Sequence, residues 1–94
     1  MATAASASND GLGARMSPER EAELKRLAEA DAHIADAARA VTEQMAQLEA
    51  LRAAGHDTAM AERELTAFRE TLAVLQGHRA VIIKAIEQID AGLA

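Results

Sequence analysis

The sequence predicts an all-α fold: two long antiparallel helices that form a coiled-coil-like hairpin and dimerise into a four-helix bundle. Two observations carry this prediction. Residues 18–54 and 58–91 repeat their apolar side chains at steps of three and four, and the one proline of the chain is Pro18. The segment 55–57 between them has turn residues and is so short that the two helices must lie side by side.

The first helix has a clear start in the sequence "SPERE". Ser17 is a good N-cap, Pro18 fits the first helical position, and acidic residues in the first turn favour the positive end of the helix dipole. Residues 1–16 are rich in Ala, Ser and Gly and contain one leucine. Such a composition buries too little surface to offset chain entropy, so we expect a disordered tail before the hairpin of residues 17–94.

The turn and the second helix also carry end signals. Gly55 suits the left-handed residue that ends a helix, and Asp57 or Thr58 can cap the helix that follows. Gly92 is expected to end the second helix. Gly77 lies in the middle of that helix, where glycine costs ~1 kcal/mol relative to alanine.

The predicted seam between the helices follows the heptad spacing of each helix. In the first helix it comprises Leu24, Leu27, Asp31, Ile34, Ala38, Val41, Met45 and Leu48. In the second it comprises Ala61, Leu65, Phe68, Leu72, Leu75, Arg79, Ile82, Ile86, Ile89 and Leu93. Folding the chain between His56 and Asp57 pairs Leu48 with Leu65, Met45 with Phe68, Val41 with Leu72, Ala38 with Leu75 and Leu27 with Ile86. The turn and the seams therefore agree on one register.

Each predicted seam has a single charged residue in its middle portion, Asp31 in the first helix and Arg79 in the second. In the register above Arg79 faces Ile34, and Asp31 lies one turn away, opposite Ile82. We therefore predict a structural ion pair that fixes register and orientation. The alternative is that Arg79 binds an anionic ligand.

A further set of apolar residues lies beside the seam of the second helix and predicts a partner-binding surface. It comprises Met60, Ala67, Val74 and Val81, which recur every seven residues, and Ile83 on the other side of the seam. A two-helix hairpin has no second layer to cover these side chains, so the expected partner is a second copy or another helical protein. The alternative is scattered surface apolar residues on a stable monomer.

Composition limits the other classes of partner and site. The net charge of −5 and the presence of one aromatic residue argue against nucleic acid, and no apolar run is long enough to span a membrane. The N-terminal residues do not resemble a signal peptide, so we expect a cytoplasmic protein. The chain has no cysteine, which excludes disulfides and thiolate metal sites.

The histidines do not form a recognisable catalytic or metal-binding motif. His33 has Asp36 three residues later, a weak metal pair, while His56 lies in the loop and His78 beside the seam. No Glu-x-x-His, Ser-His-Asp or glycine-rich phosphate loop is present. We therefore expect no enzymatic activity, no cofactor and no metal.

Residues 20–83 resemble a group of short, uncharacterised proteobacterial proteins. The shared features are "HIA" at 33–35, "GHDT" at 55–58, and "TL" followed by "HR" at 71–72 and 78–79. The resemblance implies a small helical hairpin and adds no mechanism.

Three functions fit the sequence. The first is a protein–protein interaction or structural module. The second is a small regulator, antitoxin-like or chaperone-like, that binds a client protein. The third is a metal-binding half-bundle that dimerisation completes.

Overall fold

The computed structural model describes residues 17–92, which form two long helices that pack against each other. They are α1 (Pro18–Ala53) and α2 (Ala59–Asp90), and these residues contain no strand. The predicted all-helical hairpin is confirmed. The predicted tail, residues 1–16, and the last predicted seam residue, Leu93, lie outside the described residues.

The start of α1 follows the predicted capping chemistry. Ser17 has an extended backbone (φ −65°, ψ 154°), and its Oγ accepts a hydrogen bond from the backbone N–H of Arg20 at 3.1 Å. This bond satisfies one of the N–H groups that have no partner inside the helix. Pro18 occupies the start of the helix, where its missing N–H costs nothing.

Gly55 closes α1 in a left-handed conformation, with φ 73°. The backbone N–H of His56 donates to the carbonyl of Leu51 at 2.9 Å, and that of Gly55 donates to the carbonyl of Arg52 at 3.1 Å. These two bonds form a Schellman motif, which satisfies the last carbonyls of the helix. The predicted positive φ of Gly55 is confirmed.

Asp57, rather than Thr58, supplies the side-chain cap of α2. Its Oδ1 accepts from the backbone N–H of Ala59 at 3.0 Å, whereas Thr58 makes no side-chain capping bond. At the other end, Gly92 follows the last turn with φ 75°, as expected of the residue that ends the helix. The observed ends of the two helices differ by at most one residue from the predicted ranges 18–54 and 58–91.

The seam between the helices agrees with the prediction on α2 and differs from it on half of α1. On α2 the buried and half-buried positions include most of the predicted set, although Phe68 is 37 % exposed. On α1 the stripe of Leu27, Ile34, Val41 and Leu48 is buried or half-buried. The other predicted stripe is wrong, because all four members are exposed: Leu24, Asp31, Ala38 and Met45. Their places in the seam are taken by the preceding residues: Glu23, Ala30, Ala37 and Gln44.

Small side chains explain which stripe α1 turns toward α2. Two neighbouring stripes are compatible with helical spacing. Positions three before and four after each member of the correct stripe form the predicted set, and positions four before and three after form the observed set. Ala30 and Ala37 let the two helices approach closely, and buried Gln44 satisfies its amide by hydrogen bonds to α2. The larger Leu24 and Met45 are left 40 % and 46 % exposed.

The core consists of two separate clusters, one toward each end of the hairpin. Toward the open end, Leu27 packs on Ala30, Ile82 and Ile86. Toward the turn, the cluster comprises Leu48, Ala61 and Leu65, with Val41 and Leu51 packed against them. Burial of one such isoleucine or leucine stabilises the fold by about 1.5–3 kcal/mol. Between the clusters, over residues 31–43 and 66–81, no residue is buried. The middle of the hairpin therefore has only partly buried contacts between the two helices.

Neither α1 nor α2 has a stretch of sufficient length and apolarity to cross a lipid bilayer, judged over residues 17–92.

Candidate interaction surface

A row of exposed apolar side chains follows one side of α2. We call it the α2 stripe, and it consists of Met60, Ala67, Val74 and Val81. Met60, Val74 and Val81 are 65 %, 70 % and 66 % exposed, and Ala67 is exposed as well. Because the members are seven residues apart, they lie in one line along the helix. Single exposed apolar residues are ordinary, whereas a continuous apolar row is a candidate interaction surface.

The middle of α2 is poor in charge around its whole circumference. Residues 71–83 contain one ionised side chain, Arg79, and the guanidinium group of Arg79 is directed to α1. A helix without charged residues on its outer side is typically packed on more than one side. In the hairpin, α1 covers one side only. The remaining sides of this segment therefore form the most apolar outer surface of α2.

A shallow groove lies beside the α2 stripe. It has a volume of about 420 Å³ and is lined by Ala67, Glu70, Thr71, Val74 and Leu75. Its walls are mostly apolar, and Glu70 is the one charged residue that lines it. The groove provides a place into which an apolar side chain of a packed helix can insert.

The two residues of the predicted ion pair lie together across the hairpin. Nε of Arg79 donates to Oδ1 of Asp31 at 2.5 Å, and the two side chains are 40 % and 52 % exposed. Asp31 lies outside the seam, so the pair spans the edge of the interface instead of crossing an apolar layer. Solvent reduces the strength of such a pair relative to a buried one.

The other face of the hairpin carries the residues that the predicted seam would have buried. Leu24 and Met45 are exposed there, and a groove of about 320 Å³ is lined by Met45, Leu48, Glu49, Arg52, Leu65 and Arg69. Ile83, which we expected in the partner-binding surface, is half-buried. Its heptad position is on this side of α2, away from the α2 stripe. Arginine and glutamate side chains interrupt this face, so it is less apolar than the α2 stripe.

Gln44 is a structural residue that the sequence pattern did not reveal. Its Nε2 donates to the carbonyl oxygen of Ala61 and to Oε2 of Glu64, both at 3.2 Å. A buried polar residue in a helical seam favours one register, because slippage would leave the amide without partners. Helical spacing permits either Gln44 or the neighbouring Met45 in the seam, and apolarity favoured Met45. The signal in the sequence was the alanine pair, Ala30 and Ala37, in the same stripe as Gln44.

A second interhelical ion pair holds the open end of the hairpin. Nε of Arg20 donates to Oδ1 of Asp90 at 2.8 Å. This hydrogen bond, and the attraction between the two charges, raise the pKa of Arg20 above its ordinary value, and desolvation opposes the increase. The pair ties the first turn of α1 to the last turn of α2.

The three histidines are all exposed, and none of them belongs to a metal-binding cluster within residues 17–92. No group of three or more His, Cys, Asp or Glu side chains in residues 17–92 is arranged to hold a metal ion. His56 and Asp57 line a groove of about 560 Å³ at the turn, together with Gln44, Met60 and Glu64. His33 and His78 lie on the outer parts of α1 and α2.

Comparison with protein-family models, curated proteins and solved structures gave no match to this chain. The resemblance to the proteobacterial hairpin proteins therefore stays an expectation from the sequence.

Proposed function

We propose that this chain is a non-enzymatic protein-interaction module whose hairpin is completed by two further helices, in a four-helix bundle formed by homodimerisation. The observation that carries the proposal is the α2 stripe. Its three large side chains are about two-thirds exposed, and the stripe is regular over most of the length of α2.

Burial energies support a second layer of helices. Covering the remaining surface of Met60, Val74 and Val81 contributes about 1–2 kcal/mol each, taken as two-thirds of the value for full burial. In a two-fold dimer each contribution occurs twice. The total offsets a large part of the loss of translational and rotational freedom on association. The isolated hairpin has only two small core clusters, so it gains much from the second layer.

Another helical protein is the alternative partner, because an apolar helix face accepts any complementary helix. The composition of the α2 stripe does not by itself distinguish the two occupants. Their consequences differ, since a self-associating chain forms its complex when it is purified alone, whereas a hairpin that requires another protein remains a monomer.

The test is light scattering coupled to size exclusion, applied to the wild-type chain and to the double variant Val74→Asp/Val81→Asp. We expect a dimer for the wild type and a monomer for the variant, because two carboxylates on the stripe cannot be buried without partners. Ala46→Asp is the matched control: it adds a carboxylate at an exposed position on the outer side of α1, and it should leave the dimer intact. A wild-type monomer at all concentrations would contradict homodimerisation, and equal effects of all variants would contradict the assignment of the surface.

A further inference from the structure

We propose that the second copy packs on the α2 stripe through an antiparallel α2–α2 contact whose two-fold axis passes beside Ala67. This inference rests on the proposed function, because it requires that the stripe be a self-association surface. It adds the orientation of the second copy, its register and the charged residues that select the register.

Two-fold symmetry restricts the register to a few possibilities. In an antiparallel contact between identical helices, stripe residues face stripe residues of the other copy wherever the two stripes overlap. The axis at Ala67 pairs Met60 with Val74 and leaves Val81 beyond the overlap. Three placements of the axis pair most of the stripe: at Ala67, midway between Ala67 and Val74, and at Val74. The midway placement pairs the whole stripe, so apolar contact alone does not favour Ala67.

The charged residues on one side of the stripe distinguish the three placements. This flank also repeats every seven residues and consists of Arg63, Glu70, Gly77 and Lys84, all exposed. In an antiparallel contact it meets its own counterpart. The axis at Ala67 places Arg63 opposite Glu70 of the second copy, and symmetry repeats the pair. The midway axis places Glu70 opposite itself, and the axis at Val74 places Arg63 opposite Lys84. Only the axis at Ala67 brings opposite charges together.

These charges are available for such a contact. None of the ion pairs within residues 17–92 uses Arg63, Glu70 or Lys84. By contrast, the other arginines of that range are paired except Arg69, which lies on the other side of α2.

The opposite flank of the stripe is compatible with the same axis. Glu64, Thr71 and His78 follow one another there at seven-residue steps, and Asp57 precedes the first residue of α2. The axis at Ala67 places Glu64 opposite the Thr71 hydroxyl of the second copy. No like charges meet on this flank.

Side-chain size fits the axis as well. Ala67 is the smallest member of the stripe, and a small residue at the axis lets two helices approach closely. Met60 then faces Val74 of the second copy, which lines the groove beside the stripe together with Thr71 and Leu75. The long, flexible methionine side chain can fill this groove.

The first experiment uses cysteine substitution, since the natural chain contains no cysteine. A residue on a two-fold axis faces its own copy, and a disulfide requires a Cα–Cα distance of about 4.4–6.8 Å. We expect Ala67→Cys to give disulfide-linked dimers rapidly under mild oxidation, and Val74→Cys to do so no faster than Ala46→Cys, the control for random collision. Faster cross-linking of Val74→Cys, or an Ala67→Cys rate equal to the control, would overturn the register.

The second experiment reverses the charges of the predicted pair. Arg63→Glu or Glu70→Arg alone should raise the dimer dissociation constant about tenfold, since both symmetric pairs turn from attraction to repulsion. The double variant Arg63→Glu/Glu70→Arg should recover most of the affinity, and Arg69→Glu, on the other side of α2, should leave it unchanged. A double variant as weak as the single ones would contradict the proposal.

The two levels of the proposal fail in different ways. A wild-type dimer in which Ala67→Cys does not cross-link and charge reversal has no effect would refute this register and retain the interaction module. A wild-type chain that stays monomeric would refute homodimerisation, and with it this contact.

Discussion

The buried amide of Gln44 in α1 donates across the seam to the backbone carbonyl of Ala61 in α2, at 3.2 Å. The same nitrogen donates to the carboxylate of Glu64. Both acceptors lie on α2, whereas Gln44 belongs to α1. The two hydrogen bonds therefore link the helices. This arrangement makes the turn end of the hairpin sensitive to the chemistry of one side chain.

We predict that Gln44→Glu destabilises the hairpin by about 1–3 kcal/mol at neutral pH. The new carboxylate would be buried facing two acceptors and no donor, which raises its pKa in the folded state. The loss of stability should be present above that raised pKa and should diminish as the pH falls through it and the group is protonated. Urea denaturation at several pH values measures the effect.

Gln47→Glu is the matched control, because Gln47 lies one turn away on the same helix and is exposed. It should change the free energy of unfolding by less than about 0.5 kcal/mol. If the two variants behave alike, the amide of Gln44 has no special role in the seam.

The ion pair of Arg79 and Asp31 should contribute little energy, because both side chains are about half exposed. A double-mutant cycle with Arg79→Met and Asp31→Asn should give a coupling of about 0.2–1 kcal/mol that decreases in high salt. The cycle is measured by urea denaturation at fixed protein concentration.

The pair of Arg39 and Asp36 provides the comparison, since both residues are on α1 and more exposed. Its coupling should be weaker than that of the interhelical pair. Additive effects at Arg79 and Asp31 would show that the two charges do not interact in solution, and Arg79 would then be free to bind an anionic group of a partner.

Gly55 and Gly77 should respond to substitution by alanine in opposite directions. Gly55 has φ 73°, so Gly55→Ala should destabilise by about 1 kcal/mol. Gly77 lies within α2, and apart from the adjacent backbone of that helix nothing is within 4 Å of the place that a Cβ would occupy. Gly77→Ala should therefore stabilise by about 0.5–1 kcal/mol. Thermal unfolding by circular dichroism compares the two variants, and equal signs would contradict the assigned roles.

The sequence predicted the features that local chemistry determines. Ser17, Gly55 and Gly92 have strong backbone preferences, so the helix ends followed from their positions. The stripe that includes Leu27 and Leu48 was equally predictable, because its members are apolar and helical spacing places them on one face.

The face that α1 turns toward α2 was harder to predict, because two neighbouring stripes share the same spacing. Leu24 and Met45 are more apolar than Ala30 and Gln44, and apolarity alone selects the wrong stripe. The structure selects the other because close approach favours small residues and because the Gln44 amide finds acceptors on α2. Both effects depend on distances between helices, which a single-sequence pattern does not contain.

The exposure of the α2 stripe was predictable because it depends on the spacing within one helix. The seven-residue repeat places Met60, Val74 and Val81 in one row, independently of the face that α1 turns toward α2. All three residues are exposed. The exposure of Ile83 depends on how far the seam with α1 extends around α2, and the residue is half-buried. Its inclusion in the surface rested on a position that the seam itself partly covers.

The central claim is that a second layer of helices covers the α2 stripe, and the most direct measurement is the melting temperature over about a hundredfold dilution. Because association stabilises the folded chain, its stability depends on concentration. A hundredfold dilution lowers the free energy of unfolding of the dimer by about 2.7 kcal/mol. We expect the melting temperature of the wild-type chain to fall steadily on dilution, and that of Val74→Asp/Val81→Asp to be lower and independent of concentration. A cooperative wild-type transition at one temperature throughout the dilution series would contradict the account.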